Sequence, residues 1–234
     1  MKSTIQDKTK LVNSVFSEVY KEYDLMNDIM SLGIHRIWKD KFLDWMNPQP
    51  HSKLIDVASG TGDIAKLFLK RLSNCGEVTC VEPNLKMLKQ SKIKLERFKN
   101  INWINAMAEE IPAENDSFDF YSISYGIRNV TDITKTLREA YRVLKPGGRF
   151  MCLEFSKINN EILNLIYQQY SRAIPFLGKL IVGSDKPYNY LIKSIDEFYN
   201  QDQLAELIKN NGFSKVEFRN MTNGISAIHS GWKI

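Results

Sequence analysis

Residues 54–65, Leu-Ile-Asp-Val-Ala-Ser-Gly-Thr-Gly-Asp-Ile-Ala, put a carboxylate, Asp56, just ahead of two glycines, Gly60 and Gly62. Apolar residues then resume with helical spacing at Ile64, Ala65, Leu67 and Phe68. The pattern predicts strand, tight turn, helix. Glycines let the backbone fold sharply and let a ligand lie against bare main chain, while the helix N-terminus offers unpaired N–H groups. Such a turn is a generic cradle for a nucleotide or cofactor, so its surroundings decide the chemistry. A second acid, Glu82, closes the apolar run Val-Thr-Cys-Val-Glu, twenty residues after Gly62. An acid at the second strand end is placed for two ribose hydroxyls, an arrangement shared with dinucleotide sites, and Gly60-x-Gly62-x-x-Ala65 also meets the loose dinucleotide fingerprint. Asp56 separates the two. A carboxylate beside the turn repels a pyrophosphate but suits a cofactor that carries an amine and a sulfonium.

The elements that must hold these groups follow from the apolar periods. Val12, Val15, Phe16, Val19, Tyr20 and Tyr23 predict an amphipathic helix over residues 8–22. Residues 23–40 have no clean period; their aromatics and methionines near His35 and Arg36 either line an apolar substrate cavity, with Tyr23, or simply pack. A helix from Trp38 to Met46 is stopped by Pro48 and Pro50. From Ser52 the pattern alternates: the glycine turn opens a helix to about Asn74, Gly76 opens a second strand, and Pro83-Asn84 start a helix through Leu95. Strands follow at 101–104 and 117–126, then a helix carrying Ile133, Leu137, Ala140, Tyr141 and Leu144, ended by Lys145-Pro146-Gly147-Gly148 before a strand at 149–155. Alternation of this kind predicts a parallel sheet with helices on both faces.

Residues 159–183 break the rhythm with more apolar surface than one helix face needs, divided by Pro175 and Gly178. A two-piece helical insertion is expected there, either a lid or membrane-facing element over a greasy substrate, or a helix pair shielding the sheet. Helices at 190–199 and 204–208 follow, and Thr222-Asn223-Gly224 between alternating runs predicts a terminal hairpin.

The chain has 234 residues and 27.1 kDa, 43% hydrophobic and 25% charged, the composition of one large globular domain spanning 1–234, with a helical segment at 1–50 and the lid-like insertion at 159–200. Cys75, Cys80 and Cys152 lack C-x-x-C spacing and read as thiols of a reducing cytosol, and three scattered histidines give a metal site no support. No leader-like run or span of ~18 apolar residues is present, which predicts a cytoplasmic protein. A net charge of +5 is spread without long basic runs, so nucleic acid is not expected as a partner.

Asp-x-Ala-x-Gly-x-Gly at 56–62 resembles the first motif of class I S-adenosylmethionine methyltransferases, and Leu-Lys-Pro-Gly-Gly before the fifth strand is a further feature of that class. The whole order of elements resembles its fold: a Rossmann-like α/β sheet with helices on both faces and a C-terminal antiparallel hairpin. More finely, residues 23–39, 56–65, 123–132, 141–157, 187–195 and 223–233 resemble the ubiquinone/menaquinone biosynthesis methyltransferase family. The resemblance implies S-adenosylmethionine as cofactor and a polyprenylated hydroquinone as substrate, methylated on a ring carbon. It also implies cofactor contacts from Thr61 in the turn, Glu82 at the ribose, Met107-Ala108 near the adenine and Ser124 at the end of the fourth strand. Met107 departs from the family's usual Asp or Asn, and Glu82 from its usual Asp.

Carbon methylation needs a carbon nucleophile, which a hydroquinone becomes when a hydroxyl loses its proton. Ionising a phenol of pKa about 10 costs roughly 4 kcal/mol at pH 7, so a cation or donor must stabilise the oxyanion. Arg128 and Asn129 follow the fourth strand and are the expected catalytic pair; the competing reading for Arg128 is a salt bridge to Asp132 or another acid. His35, able to titrate near neutrality, and Arg36 are substrate-pocket candidates with Tyr23. The isoprenoid tail implies transient contact with the inner face of a membrane, and the oligomeric state is left open, a homodimer included. A nicotinamide-dependent oxidoreductase and a non-catalytic nucleotide-binding module are the alternatives, the second if Met107 has spoiled the cofactor site.

Overall fold

The computed structural model describes residues 28, 31, 33–158, 165, 167, 169, 170, 175, 179 and 186–234. The helix expected at 8–22, Tyr23 and most of 159–183 lie outside these residues. Alternating strands and helices produce one seven-stranded sheet, made of β1 (Lys53–Val57), β2 (Glu77–Val81), β3 (Ile101–Ile104), β4 (Phe118–Ser124), β5 (Leu144–Phe155), β6 (Ser214–Met221) and β7 (Ser226–Trp232), in the order β3-β2-β1-β4-β5-β7-β6. The first five strands run parallel; β7 lies antiparallel between β5 and β6. Four of five residues in β1 and in β2 are buried, because both faces are covered.

The helices bounded among the described residues are α1 (His35–Met46), α2 (Asp63–Arg71), α3 (Leu85–Lys94), α4 (Ile133–Val143), α5 (Lys186–Asp196) and α6 (Gln201–Asn210). On one face α1, α2 and α5 bury Trp38, Phe42, Phe68, Leu69 and Leu191 against the sheet. On the other, α4 and α6 bury Leu137, Ala140, Leu204 and Ile208 against Val57, Tyr121 and Phe150. Local chemistry sets the helix starts. Asn84 accepts the N–H groups of Lys86 and Met87, Asp132 accepts that of Lys135, and Asn200 with Gln203 forms a capping box.

Several boundaries differ from expectation. α2 stops at Arg71, where Ser73 and Asn74 take positive φ, instead of running to Asn74. Among the described residues α5 covers Lys186–Asp196, so it already includes Pro187 and ends short of the expected 199. β5 begins at Leu144, so the Lys-Pro-Gly-Gly segment belongs to the strand: Gly147 donates to Lys233 O at 2.7 Å and Lys233 returns an N–H to Gly148 O at 3.0 Å. Among the described residues no helix is long and apolar enough to cross a membrane.

Candidate active site

The neighbours β1 and β4 connect to β2 and β5 on opposite sides, so the strand order reverses between them and a crevice opens beyond their carboxyl ends. Two non-glycine residues sit at those ends with positive φ, Ala58 at 52° and Tyr125 at 55°. Such backbone is costly and persists where its surroundings enforce it. Here the tips are pressed together: a Cβ added to Gly126 would meet Ala58 Cβ at 2.6 Å.

The glycine turn leaves β1 here. Gly62 has φ +81°, and a Cβ on it would lie 2.5 Å from Ser91 Oγ and 2.6 Å from Leu95 Cδ1, so the close docking of α3 on the turn requires glycine. Glu82, buried at the tip of β2, accepts the N–H of Gly60 through Oε2 and that of Asn84 through Oε1, both at 2.9 Å. Burial pushes its carboxyl up to about 7 against the pull of those two N–H groups. Asp56, also buried, accepts the Ser122 hydroxyl at 2.6 Å through Oδ1, while Oδ2 makes no hydrogen bond. Burial pushes Asp56 up to about 7, opposed by the Ser122 bond and the charge of Lys39. The Ser124 hydroxyl is likewise buried without a partner.

Met107 and Ala108 lie on the loop after β3, the first partly exposed and the second buried. Glu109 fastens this loop across the crevice, its Oε1 accepting the N–H groups of Thr131 and Asp132 at 2.6 and 3.0 Å. Asn105 ties it to the tip of β2 by donating to the carbonyls of Glu82 and Pro83 at 2.8 and 2.9 Å. The crevice therefore gathers Asp56, Gly60, Thr61 and Ser124; Glu82 holds Gly60 from the tip of β2, Gly62 sits in the turn against α3, and Met107-Ala108 stand on the loop after β3. Two buried polar atoms without partners, Asp56 Oδ2 and Ser124 Oγ, in a crevice lined by the glycine turn fit an aminoacyl nucleoside.

One cleft residue escaped the sequence reading. Lys39 of α1 lines the crevice with Asp56, Ser59, Thr61 and Ser124. Its ammonium donates to Asp63 Oδ2 at 2.7 Å, and Lys94 donates to Asp63 Oδ1 at 2.9 Å and to Thr61 Oγ1 at 3.2 Å. Although burial works the other way, these two ammonium groups hold the Asp63 carboxyl well below the usual carboxylate range.

Arg128 and Asn129 occupy a short 3-10 turn, Ile127–Asn129, after β4. Arg128 is buried and pairs with Glu154 of β5 (Nη1 to Oε1, 2.5 Å); Nη1 also donates to Tyr125 O at 3.0 Å and Nε to Ser194 Oγ at 3.3 Å. Burial outweighs the pull of Arg128 and raises the Glu154 carboxyl. Asp132, the partner weighed from sequence, caps α4 instead. Asn129 Oδ1 accepts the Tyr190 hydroxyl at 3.0 Å, which fastens α5 to the turn. His35 is buried, with Nδ1 2.8 Å from Ser31 Oγ. Its expected titration near neutrality is corrected: burial, aided by the charge of Lys39, lowers it to about 4. Arg36 points to solvent and pairs with Asp28 at 2.6 Å.

Fold and crevice together define a class I S-adenosylmethionine-dependent methyltransferase. The family model described as the ubiE/COQ5 methyltransferase family matches residues 2–233, and the chain belongs to that family. It is 48% identical to the ubiquinone/menaquinone biosynthesis C-methyltransferase UbiE of Rickettsia bellii, over 97% of this chain and 94% of that protein. The enzyme of the same name from Brucella abortus is 47% identical over 97% of this chain and 87% of its own length. Among solved structures, a SAM-dependent methyltransferase of Thermotoga maritima superposes with TM-score 0.66 at 19% identity, covering 95% of this chain and 100% of the other. A phosphoethanolamine N-methyltransferase of Haemonchus contortus, in complex with S-adenosylhomocysteine, gives 0.61 at 16% identity over 84% of this chain and 52% of its own.

Proposed function

We propose that this methyltransferase methylates a ring carbon of a polyprenylated hydroquinone: the demethylated naphthoquinol precursor of menaquinol, its benzoquinol counterpart on the way to ubiquinol, or both. The observation that carries the substrate class is the named activity of relatives 47–48% identical over 97% of the chain. In this reading the crevice takes the cofactor, which supplies an electrophilic methyl group when bound. Asp56 faces its amine, Glu82 its ribose hydroxyls, the turn 60–62 its backbone-facing edge, Ser124 a polar edge, and Met107-Ala108 its adenine.

The chain's own part is to hold the ring and manage its proton. Arg128 supplies positive charge toward the ring oxygen that becomes phenolate, and Glu154 fixes where that guanidinium sits. Asn129, its amide oriented by Tyr190, aligns the hydroxyl, and water carries the proton away. His35, neutral at physiological pH, is assigned with Tyr23 and Arg36 to quinol binding. Holding ring carbon and methyl group in line converts a bimolecular encounter into an oriented one. Residues 159–183, with the chain's positive charge, provide transient contact with the bilayer that holds the isoprenoid tail.

The test is incubation with methyl-labelled S-adenosylmethionine and short-chain versions of both reduced quinols. Label appearing on a ring carbon of either supports the proposal. No transfer to either quinol, from protein that binds the cofactor, overturns the substrate assignment. The membrane part is tested by flotation with anionic liposomes containing quinol, where protein left in the unbound fraction overturns it.

A further inference from the structure

The aminoacyl end of the cofactor is a zwitterion, and the roles given so far serve only its ammonium. Its carboxylate needs a partner too, since burying an unpaired charge is expensive. Among the described residues lining the crevice, Lys39 is the one cationic side chain. Its side chain is only 8% exposed, and α1 carries it to the glycine turn, where Asp63 anchors it. Asp63 is shared by two ammonium groups, those of Lys39 and Lys94, so Lys39 does not have that carboxylate to itself. Asp56, across the same crevice, carries the opposite charge. A zwitterion lying between Lys39 and Asp56 meets an opposite charge at each end, and an amine without its carboxylate does not.

We propose that Lys39 binds the α-carboxylate of the cofactor's aminoacyl end while Asp56 takes the α-ammonium, so that α1 contributes directly to cofactor binding; this rests on reading the crevice as the S-adenosylmethionine site. The competing role for Lys39 is a clamp that only joins α1 to α2 through Asp63. The two roles separate on ligands with and without a carboxylate.

The experiment titrates S-adenosylhomocysteine, its decarboxylated analogue and 5′-methylthioadenosine by calorimetry into wild type, Lys39→Met and Lys39→Arg. Losing a charged hydrogen bond predicts at least about tenfold weaker S-adenosylhomocysteine binding in Lys39→Met, with 5′-methylthioadenosine changed less than about twofold and Lys39→Arg largely restored. Equal loss for both ligands, or loss for neither, overturns the assignment. Wild type provides a check that needs no variant to fold: it must prefer S-adenosylhomocysteine to the decarboxylated analogue, and equal affinity for the two overturns the assignment as well. Wild type that binds none of the three nucleosides removes the reading of the crevice itself, a result distinct from a loss confined to the variant.

Discussion

Glu82 and Gly60, 22 residues apart, are joined by a hydrogen bond from the glycine N–H to Oε2 at 2.9 Å, so the tip of β2 holds the turn that leaves β1. The other oxygen of the same carboxylate accepts the N–H of Asn84, the cap of α3, and α3 in turn packs on Gly62. The acid assigned to the ribose is thus also part of the wall that shapes the turn. A carboxylate has about four acceptor sites, so ribose hydroxyls can join without displacing either backbone bond.

Glu82→Gln turns one of these acceptors into a donor that faces a backbone N–H. A buried donor left without its partner costs about 1–3 kcal/mol, so the variant is expected to unfold at lower denaturant concentration by that amount. S-Adenosylhomocysteine affinity should fall with it, because the glycine turn loses its tether. Urea melts and calorimetry on the same preparation check both effects; unchanged stability would mean that the turn holds itself.

The two buried acids also set a pH dependence. Asp56 and Glu82 rise from ordinary values of 3.8 and 4.5 to about 7 in the folded chain. Between those ordinary values and 7 the folded state holds more protons than the unfolded one, so the contribution of these groups to stability falls as pH rises through that window. Cofactor binding has the opposite sign, because an amine and ribose hydroxyls favour the ionised carboxylates. S-Adenosylhomocysteine affinity should therefore increase from pH 6 to pH 8 while the stability of the ligand-free protein declines toward pH 7. Asp56→Asn should bind more weakly with a shallower pH profile. Calorimetry across that range decides it, and a flat wild-type profile would remove both acids from cofactor recognition.

How far the sequence revealed the site depended on how local its determinants were. Central strands covered on both faces give apolar runs, so β1 and β2 were legible; β4, Phe-Asp-Phe-Tyr-Ser-Ile-Ser, shows itself by alternation of aromatics or isoleucine with small and acidic residues, and the glycines announced the turn. The sequence places the start of α1 at Trp38 because its true start at His35 lacks the usual signal: Ile34 is already helical and cannot cap, and the His35 N–H goes instead to the Ser31 hydroxyl at 3.2 Å. Lys39 was invisible as a cleft residue, since a lysine in a helical pattern reads as solvated and its partner, Asp63, is 24 residues away. Arg128 was weighed against nearby Asp132, but its acid comes from β5, 26 residues on, and only the pairing of β4 with β5 brings Glu154 beneath it.

That buried pair makes a prediction of its own. Glu154→Leu takes the Glu154 carboxylate away from the desolvated Arg128 guanidinium, and breaking a buried pair in this way costs about 3–5 kcal/mol. The double variant Arg128→Met with Glu154→Leu should recover much of that loss, because apolar replacement of a whole buried pair is often close to neutral. Both proteins should lose turnover with the quinol, while the double variant keeps its affinity for S-adenosylhomocysteine. Chemical denaturation gives the stability terms and a labelled-methyl assay the turnover. Full activity in the stable double variant would exclude Arg128 from the reaction.

Met107 offers a test in the direction of gain. The family resemblance places Asp or Asn where this chain has Met107, on a loop held in place by Asn105 at one end and Glu109 at the other. Because that loop is anchored independently of residue 107, Met107→Asp should add an acceptor for the adenine amino group without rebuilding the backbone. One such hydrogen bond contributes about 0.5–1.5 kcal/mol net, equivalent to binding about 2- to 13-fold tighter. Met107 is only partly exposed, so the new carboxylate also loses some hydration, which favours the lower end of that range. Binding of S-adenosylhomocysteine should tighten while that of its inosine analogue, which lacks the amino group, does not. Equal changes for the two nucleosides would place residue 107 away from the base edge and return the adenine contact to the backbone around Ala108.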